Sequence, residues 1–149
     1  MRMDPFVKKL NDLNFSDMYE NDFFLTWEKS RDELDAVFTV ADALRCLREN
    51  NISPKVFDSG LGISLFRDNS TRTRFSFASA CNMLGLEVQD LDEGKSQIAH
   101  GETIRETSNM ISFMADVIGI RDDMYIGKGN TYMHQVVDAV KEGYRDGIL

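Results

Sequence analysis

The second half of the chain alternates short apolar runs with segments of helical periodicity, and this alternation limits the fold more than any other feature. Three runs, 61–66 (LGISLF), 86–91 (LEVQDL) and 116–120 (DVIGI), have the length and composition of strands. Helical patterns follow each run, directly or after a loop, and Gly85 ends the first of them. Strands that alternate with helices over short loops are typical of a parallel sheet covered on both faces. We therefore predict a three-layer α/β/α fold with a short parallel sheet.

The first residues of the chain predict a separate helical arm. Asp4 and Pro5 have the pattern of a helix cap followed by a first-turn proline. Residues 14–29 show no clean period and predict an irregular segment. We expect an amino-terminal arm over 1–29 and an α/β domain over 30–149.

Two further helices can be placed from their local signals. Ser30 and Glu33 have the spacing of a capping box, and Asn50-Asn51 end the helix that they open. After a polar loop over 92–102, a third helix of the alternating region is marked by a stripe of four residues: Ile104, Thr107, Ile111 and Met114.

Composition excludes several classes of function. The 149-residue chain has a net charge of −8, which argues against binding to nucleic acid or to anionic membranes. Cys46 and Cys81 have no disulfide or metal-ligand spacing, and we expect both to be small core residues. No apolar run reaches the length of a membrane span, and residues 1–14 lack the apolar block of a signal peptide. We expect a cytoplasmic protein with no metal and no cofactor.

Positive charge and hydroxyl groups are concentrated in residues 66–80, FRDNSTRTRFSFASA, where a strand meets a helix. A helix amino terminus presents unpaired N–H groups and a partial positive charge, so an anion is stabilised there. Ser70 is placed to cap the helix, Thr71 and Thr73 add donors, and Arg72 offers a planar fork suited to phosphate or carboxylate.

Arg121 follows the third predicted strand and therefore lies at the same edge of the sheet. It can meet the same anion from the far side. No glycine-rich nucleotide loop is present, so we predict a small phosphate compound as the ligand. The alternative is that these arginines solvate the helix end and pair with nearby acids: Asp68, Glu87 or Asp90.

Two segments carry a resemblance to a known family. LFRDNSTRTRFSFASACNMLG resembles the carbamoyl-phosphate signature of the aspartate and ornithine carbamoyltransferases, whose core is Ser-Thr-Arg-Thr-Arg. SQIAHGETIRETSNMISFMADVIGIR resembles the next family motif, which ends in an arginine after the third strand. Within the family, the combination is most similar to the YgeW-type transcarbamylases. The resemblance is strong over residues 60–125 and weak elsewhere.

The resemblance implies roles for individual residues. Ser70, Thr71, Arg72 and Thr73 would hold the phosphate of carbamoyl phosphate, and Arg121 would contact both the phosphate and the carbonyl oxygen. Catalysis would then depend on Arg72, Thr73 and Arg121, with the last two stabilising the oxyanion as an amine attacks. Arg74, the last residue of the motif, would contact the ligand or serve a structural role by pairing with an acid outside the pocket.

The resemblance also implies a homotrimer in which a loop equivalent to 94–101 enters the neighbouring subunit's site. Gln97 would contact carbamoyl phosphate across that interface, with Lys95 or Ser96 assisting. His100 stands where the aspartate branch has a lysine, so the acceptor cannot be taken to be aspartate. A ligand contact and a loop-orienting backbone contact both stay open for His100. His134, by contrast, is expected on a helix surface.

The family pattern continues with a His-Pro-x-Gln motif and a second α/β domain for the amine substrate, and neither follows here. We therefore expect the carbamoyl-phosphate half of a carbamoyltransferase, inactive alone. One alternative is a non-catalytic interaction module that keeps the family's oligomerisation surface and uses the aromatic arm, although we expect those side chains to cover the domain's own core: Phe15, Phe23, Phe24, Leu25 and Trp27. Another alternative is a general phosphate or sulfate sensor.

Overall fold

The computed structural model describes residues 3–67 and 69–145. The chain folds into two compact units that divide between Pro54 and Lys55. The boundary expected between residues 29 and 30 stays a prediction. Within the described ranges, no helix is both long and apolar enough to cross a membrane.

The first unit contains helix α1 (Asp4–Asn11) and helix α2 (Arg31–Glu49). The cap of α1 is Met3, so the prediction that Asp4 caps this helix is wrong. Asp4 lies instead in the first turn, where its carboxylate interacts favourably with the positive end of the helix dipole. The capping box of α2 is confirmed: Glu33 N donates to Ser30 Oγ at 3.2 Å and Ser30 N donates to Glu33 Oε2 at 2.6 Å.

Between these helices, the aromatic arm has only two short 3₁₀ turns, as its irregular pattern predicts. Trp27 is 80% exposed, and Phe15 and Phe23 are also exposed. The expectation that these aromatics cover the domain's own core is therefore wrong for all three. Phe24 and Leu25 are half-buried.

The second unit contains three strands and three helices among its described residues. In chain order they are β1 (Leu61–Phe66), α3 (Thr71–Leu84), β2 (Glu87–Asp90), α4 (Ile104–Ser112), β3 (Val117–Arg121) and α5 (Gly129–Arg145). The strands are parallel in the order β2-β1-β3. β1 has the predicted bounds, whereas the other two strands are a residue or two shorter or shifted.

Helix ends follow the glycine and capping signals more closely than the apolar stripes. Gly85 ends α3 in the left-handed region at a φ of 103°, which L side chains rarely adopt. Thr103 and Glu106 form a capping box at the start of α4. Met114, predicted as part of that helix, lies beyond its end and is 57% exposed.

The two faces of the sheet pack against different helices because strand side chains alternate. On one face, Gly62 and Gly119 leave room for α3: a Cβ at these positions would lie 2.8 Å from Cys81 Sγ and 2.5 Å from the Phe77 ring, respectively. On the other face, Leu65 packs with Tyr132 and Val136 of α5, ringed by a further set of half-buried side chains: Leu91, Ile104 and Ile120. The three-layer prediction is confirmed.

The two cysteines differ in burial. Cys81 lies on α3 and is buried, as expected, and burial raises the pKa of its thiol. Cys46 is only half-buried on α2, so it is less completely a core residue than predicted.

Candidate functional site

The amino terminus of α3 lies where β1 ends, at the carboxyl edge of the sheet. Ser70 occupies the cap position with extended backbone, but its hydroxyl does not accept from a helix N–H. It lies instead 2.9 Å from Thr73 Oγ1. No group in the described part of the chain accepts from the N–H groups of residues 71–73. These donors therefore remain available to an anion.

Arg121 reaches the amino terminus of α3, which we call the helix mouth, from β3. The register pairs it with Phe66, at the last position of both strands. Because β3 alternates, Arg121 points to the face on which Gly119 meets α3. Its Nη1 donates to Thr73 Oγ1 at 2.6 Å and its Nη2 donates to Asp123 at 2.7 Å. The structure thus brings together Ser70, Thr73 and Arg121 from two separate segments.

Arg72 and Thr71 lie on the solvent side of the first turn of α3, and both are exposed. No ion pair or hydrogen bond joins the Arg72 guanidinium to any residue among 3–67 and 69–145. A guanidinium in this position keeps its five N–H donors for a ligand.

Arg74 has a different environment, two residues further along the same helix. Its Nη1 donates to both oxygens of the Asp90 carboxylate, and its Nη2 donates to the Phe66 carbonyl at 2.6 Å. Ser64 Oγ donates to the same Asp90 side chain. Arg74 therefore connects α3 to β1 and β2. Of the two roles that the sequence left open for Arg74, its contacts match the structural one, pairing with an acid. Asp68, another acid considered there, lies outside the described residues.

Arg67, one position beyond β1, forms a second anchor that the sequence did not indicate. Its Nη1 donates to Asp122 Oδ2 at 2.9 Å, its Nε lies 3.3 Å from Glu93 Oε1, and its guanidinium stacks 4.4 Å from the centroid of the Tyr132 ring. Tyr132 in turn donates its hydroxyl to Glu93 at 2.8 Å. We call these four residues the Arg67 cluster.

The surroundings of the Arg67 cluster raise the pKa of both Arg67 and Tyr132. Burial alone lowers the pKa of Arg67, but the hydrogen bond to Asp122 and the charges of Glu93 and Asp122 raise it overall. Burial, together with the hydrogen bond to Glu93 and the charge of that carboxylate, raises the pKa of Tyr132 well above its usual value. The guanidinium therefore stays charged and the phenol stays neutral over the ordinary pH range.

Gln97 and His100 lie in a 3₁₀ turn of the loop between β2 and α4, and both are exposed. No hydrogen bond among the described residues joins either side chain to Ser70, Thr73 or Arg121. Within one chain the structure does not bring these two residues into the helix-mouth site. His134 is exposed on α5, as predicted.

A cleft of about 320 Å³ opens beside the helix mouth, between Arg67, Asn69 and Arg74 on one side and residues 92–94 on the other. It lies at the carboxyl edge of β1 and β2. Over the described ranges, no group of three or more histidine, cysteine or acidic side chains is arranged to hold a metal ion.

Comparisons with known proteins agree with this geometry. Residues 21–142 match the family model of the aspartate/ornithine carbamoyltransferase, carbamoyl-P binding domain. The Escherichia coli (strain K12) protein "Putative carbamoyltransferase YgeW" is 66% identical over 96% of the chain, which covers 36% of that relative. The chain thus spans about a third of the length of the relatives that it matches.

Two solved structures share the fold. Aspartate transcarbamoylase from Trypanosoma cruzi, in complex with carbamoyl phosphate, superposes with a TM-score of 0.75 at 20% identity, over 85% of this chain and 38% of that one. Ornithine carbamoyltransferase from Pyrococcus furiosus gives a TM-score of 0.69 at 21% identity, over 80% of this chain and 36% of that one. From the match over 21–142, with helix α3 and strand β3 meeting as described, the chain belongs to the aspartate/ornithine carbamoyltransferase family, in its carbamoyl-phosphate-binding domain.

Proposed function

We propose that this chain is the carbamoyl-phosphate-binding part of an enzyme that transfers the carbamoyl group to an amine or amino-acid acceptor and releases phosphate. The proposal rests on one observation. Arg121 Nη1 donates to Thr73 Oγ1 at 2.6 Å, beside N–H groups at the start of α3 that have no acceptor among the described residues. The family match and the Ser-Thr-Arg-Thr-Arg motif support carbamoyl phosphate as the anion.

Each residue of the site has a separate role in this proposal. The N–H groups of residues 71–73, the hydroxyls of Ser70 and Thr71 and the exposed fork of Arg72 hold the phosphate. In this proposal, Arg121 and Thr73 contact the carbonyl oxygen and stabilise the negative charge that develops on it. Arg72, Thr73 and Arg121 are therefore the proposed catalytic residues.

The proposed reaction needs no protein nucleophile. The amine nitrogen attacks the carbonyl carbon, the electron pair of the C=O bond moves to oxygen, and the oxyanion collapses to expel phosphate as the C–O bond breaks. The amine gives up one proton as the C–N bond forms, and the departing phosphate takes that proton. Orientation of the two reactants and stabilisation of the oxyanion supply the rate enhancement. The acceptor is left open, and we propose that this chain alone turns over little or nothing.

We also propose a homotrimer in which Gln97 and His100 are supplied to the neighbouring subunit's site. The support is their exposure, together with the absence of any hydrogen bond from either side chain to Ser70, Thr73 or Arg121 among the described residues. Sedimentation equilibrium would report the mass, and a strict monomer at all concentrations would contradict the trimer. We propose a cytoplasmic location, and fractionation of cells that express the chain checks it.

A non-catalytic interaction module is the second candidate, and the exposed arm favours it. Trp27 and Tyr19 are 80% and 77% exposed, which is uncommon for aromatic side chains without a partner. Co-sedimentation with a longer relative would support this role. A chain that remains apart from its relatives but binds carbamoyl phosphate would exclude it.

The experiment that tests the proposed function is a calorimetric titration with carbamoyl phosphate. Saturable binding by the chain should be lost in Arg72→Ala and retained in Arg45→Ala, which removes a surface arginine paired with Asp42 on α2. Equal competition by inorganic phosphate and carbamoyl phosphate would favour a general phosphate sensor. Equal binding by Arg72→Ala would refute the assigned site, and robust carbamoyl transfer by the chain alone would refute its incompleteness.

A further inference from the structure

The Arg67 cluster fastens together four segments that are distant in the sequence. Arg67 follows β1, Glu93 lies in a 3₁₀ turn after β2, Asp122 follows β3, and Tyr132 belongs to α5. Asp122 and Tyr132 are strongly buried, with only 4% of the Asp122 side chain and 3% of Tyr132 exposed. A buried carboxylate without a cation is costly, so Arg67 is needed wherever Asp122 stays in this position.

Strand alternation connects this cluster to the helix-mouth site. Arg67 and Asp122 extend beyond Leu65 and Ile120 on the face that packs with α5. Arg121, immediately before Asp122, must then point to the opposite face, where Thr73 lies. A backbone hydrogen bond from Arg67 N to Arg121 O, 2.9 Å long, fixes the two strand ends at the same level.

We propose that Arg67 is a positioning residue that sets the orientation of Arg121 in the anion site. By holding Asp122 on the α5 face, Arg67 prevents the end of β3 from rotating and keeps the Arg121 fork against Thr73. This inference rests on the proposed function, because Arg121 matters to ligand binding only if the helix mouth binds the anion.

The geometry requires arginine at position 67. One group donates to Asp122, lies beside the Glu93 carboxylate and covers the Tyr132 ring with its planar face. Lysine can satisfy one carboxylate as a point charge but cannot make all three contacts. Arg67→Lys should therefore fold, since the charge beside Asp122 remains. It should no longer hold the Arg121 side chain in its orientation against Thr73.

The first test is a double-mutant cycle on carbamoyl-phosphate binding, with titration to millimolar ligand. Arg67→Lys should raise Kd by about tenfold in the otherwise unchanged chain, within the range for coupled residues, and should add little in an Arg121→Ala background. If the lysine variant folds poorly, the double variant Arg67→Met, Asp122→Asn replaces it in the cycle, because it removes both charges together. Arg105→Met, which breaks the exposed pair of Arg105 with Glu142, is the matched control and should leave Kd unchanged. An equal rise in Kd in both backgrounds would show a general folding effect and overturn the proposal.

The second test does not need a ligand. NMR of chain labelled with ¹⁵N-arginine reports the Arg121 Nε–H signal, which is assigned by its loss in Arg121→Lys. We expect that signal to move towards the position of exposed arginines in Arg67→Lys and to stay in place in Arg105→Met. An unmoved signal in Arg67→Lys would overturn the positioning role. A moved signal in a chain that binds neither carbamoyl phosphate nor inorganic phosphate would instead support the positioning role and refute the proposed function.

Discussion

Replacing each of the two arginines that flank Thr73 by alanine should affect different properties of the chain: its stability for Arg74 and its ligand binding for Arg72. Arg74 holds the Asp90 carboxylate and the Phe66 carbonyl, whereas Arg72 is exposed and makes no ion pair with the described residues. Arg74→Ala should therefore lower the free energy of unfolding, and Arg72→Ala should leave it nearly unchanged. Only the second substitution removes a proposed direct ligand contact.

The magnitude for Arg74 follows from its contacts. Loss of the charge-assisted hydrogen bond to the Phe66 carbonyl costs about 1.5–3 kcal/mol. The pair with Asp90 joins side chains that are 29% and 46% exposed. Solvent screening limits the contribution of such a pair to about 0.2–1 kcal/mol. The total of about 2–4 kcal/mol should lower Tm by roughly 5–15 °C for a chain of this size.

Urea and thermal unfolding followed by far-UV circular dichroism measure both variants. Arg72→Ala should stay within about 0.5 kcal/mol of the unchanged chain, as surface substitutions usually do. Arg74→Lys should recover part of the loss, because it keeps a cation beside Asp90 without the second donor. Equal destabilisation by Arg72→Ala and Arg74→Ala would refute the division of roles between the two arginines.

The remaining predictions concern α5 and the α3 face of the sheet. The raised pKa of Tyr132 stabilises the fold fully below pH 10, the ordinary tyrosine pKa, and this contribution is lost as the pH rises towards the higher folded value, by at most about 1.4 kcal/mol per pH unit. Tyr132→Phe should therefore flatten the loss of stability above pH 10 in alkaline unfolding curves, and equal slopes would contradict the burial of its hydroxyl against Glu93. Gly119→Ala should cost about 1–3 kcal/mol in urea unfolding, because its methyl group would lie 2.5 Å from the Phe77 ring. Adding Phe77→Leu should recover part of that cost, and no recovery would argue against a direct clash.

Much of the fold could be predicted because its signals are local. The apolar run 61–66 coincides with β1, Gly85 marks the left-handed end of α3, and the Ser30–Glu33 spacing gives a real capping box. The helix mouth could also be predicted, since strand-to-helix junctions of a parallel sheet share one edge. Prediction failed for Asp4, where the helix began one residue earlier than the cap signal indicated.

The partners of the arginines could not be read from the sequence for a physical reason. Asp90 meets Arg74 only because the register sets Ser64 opposite Asp90, on the face that α3 covers. The Arg67 cluster joins positions 26 to 65 residues apart, so no local spacing announces it. In each case the pairing depends on sheet register and helix rotation, which charge pattern alone does not determine.

The hydrogen bonds among Ser70, Thr73 and Arg121 have a consequence for selectivity. The Thr73 hydroxyl is already shared between a neighbouring hydroxyl and a guanidinium, at 2.9 Å and 2.6 Å. At Thr73 and Arg121 an incoming anion must therefore exchange existing bonds for its own, whereas the N–H groups of residues 71–73 have no acceptor among the described residues. A monatomic ion such as chloride replaces few of them, whereas a tetrahedral anion with several oxygens can replace them all. We therefore expect this network to favour anions with several acceptor atoms over monatomic anions of the same charge.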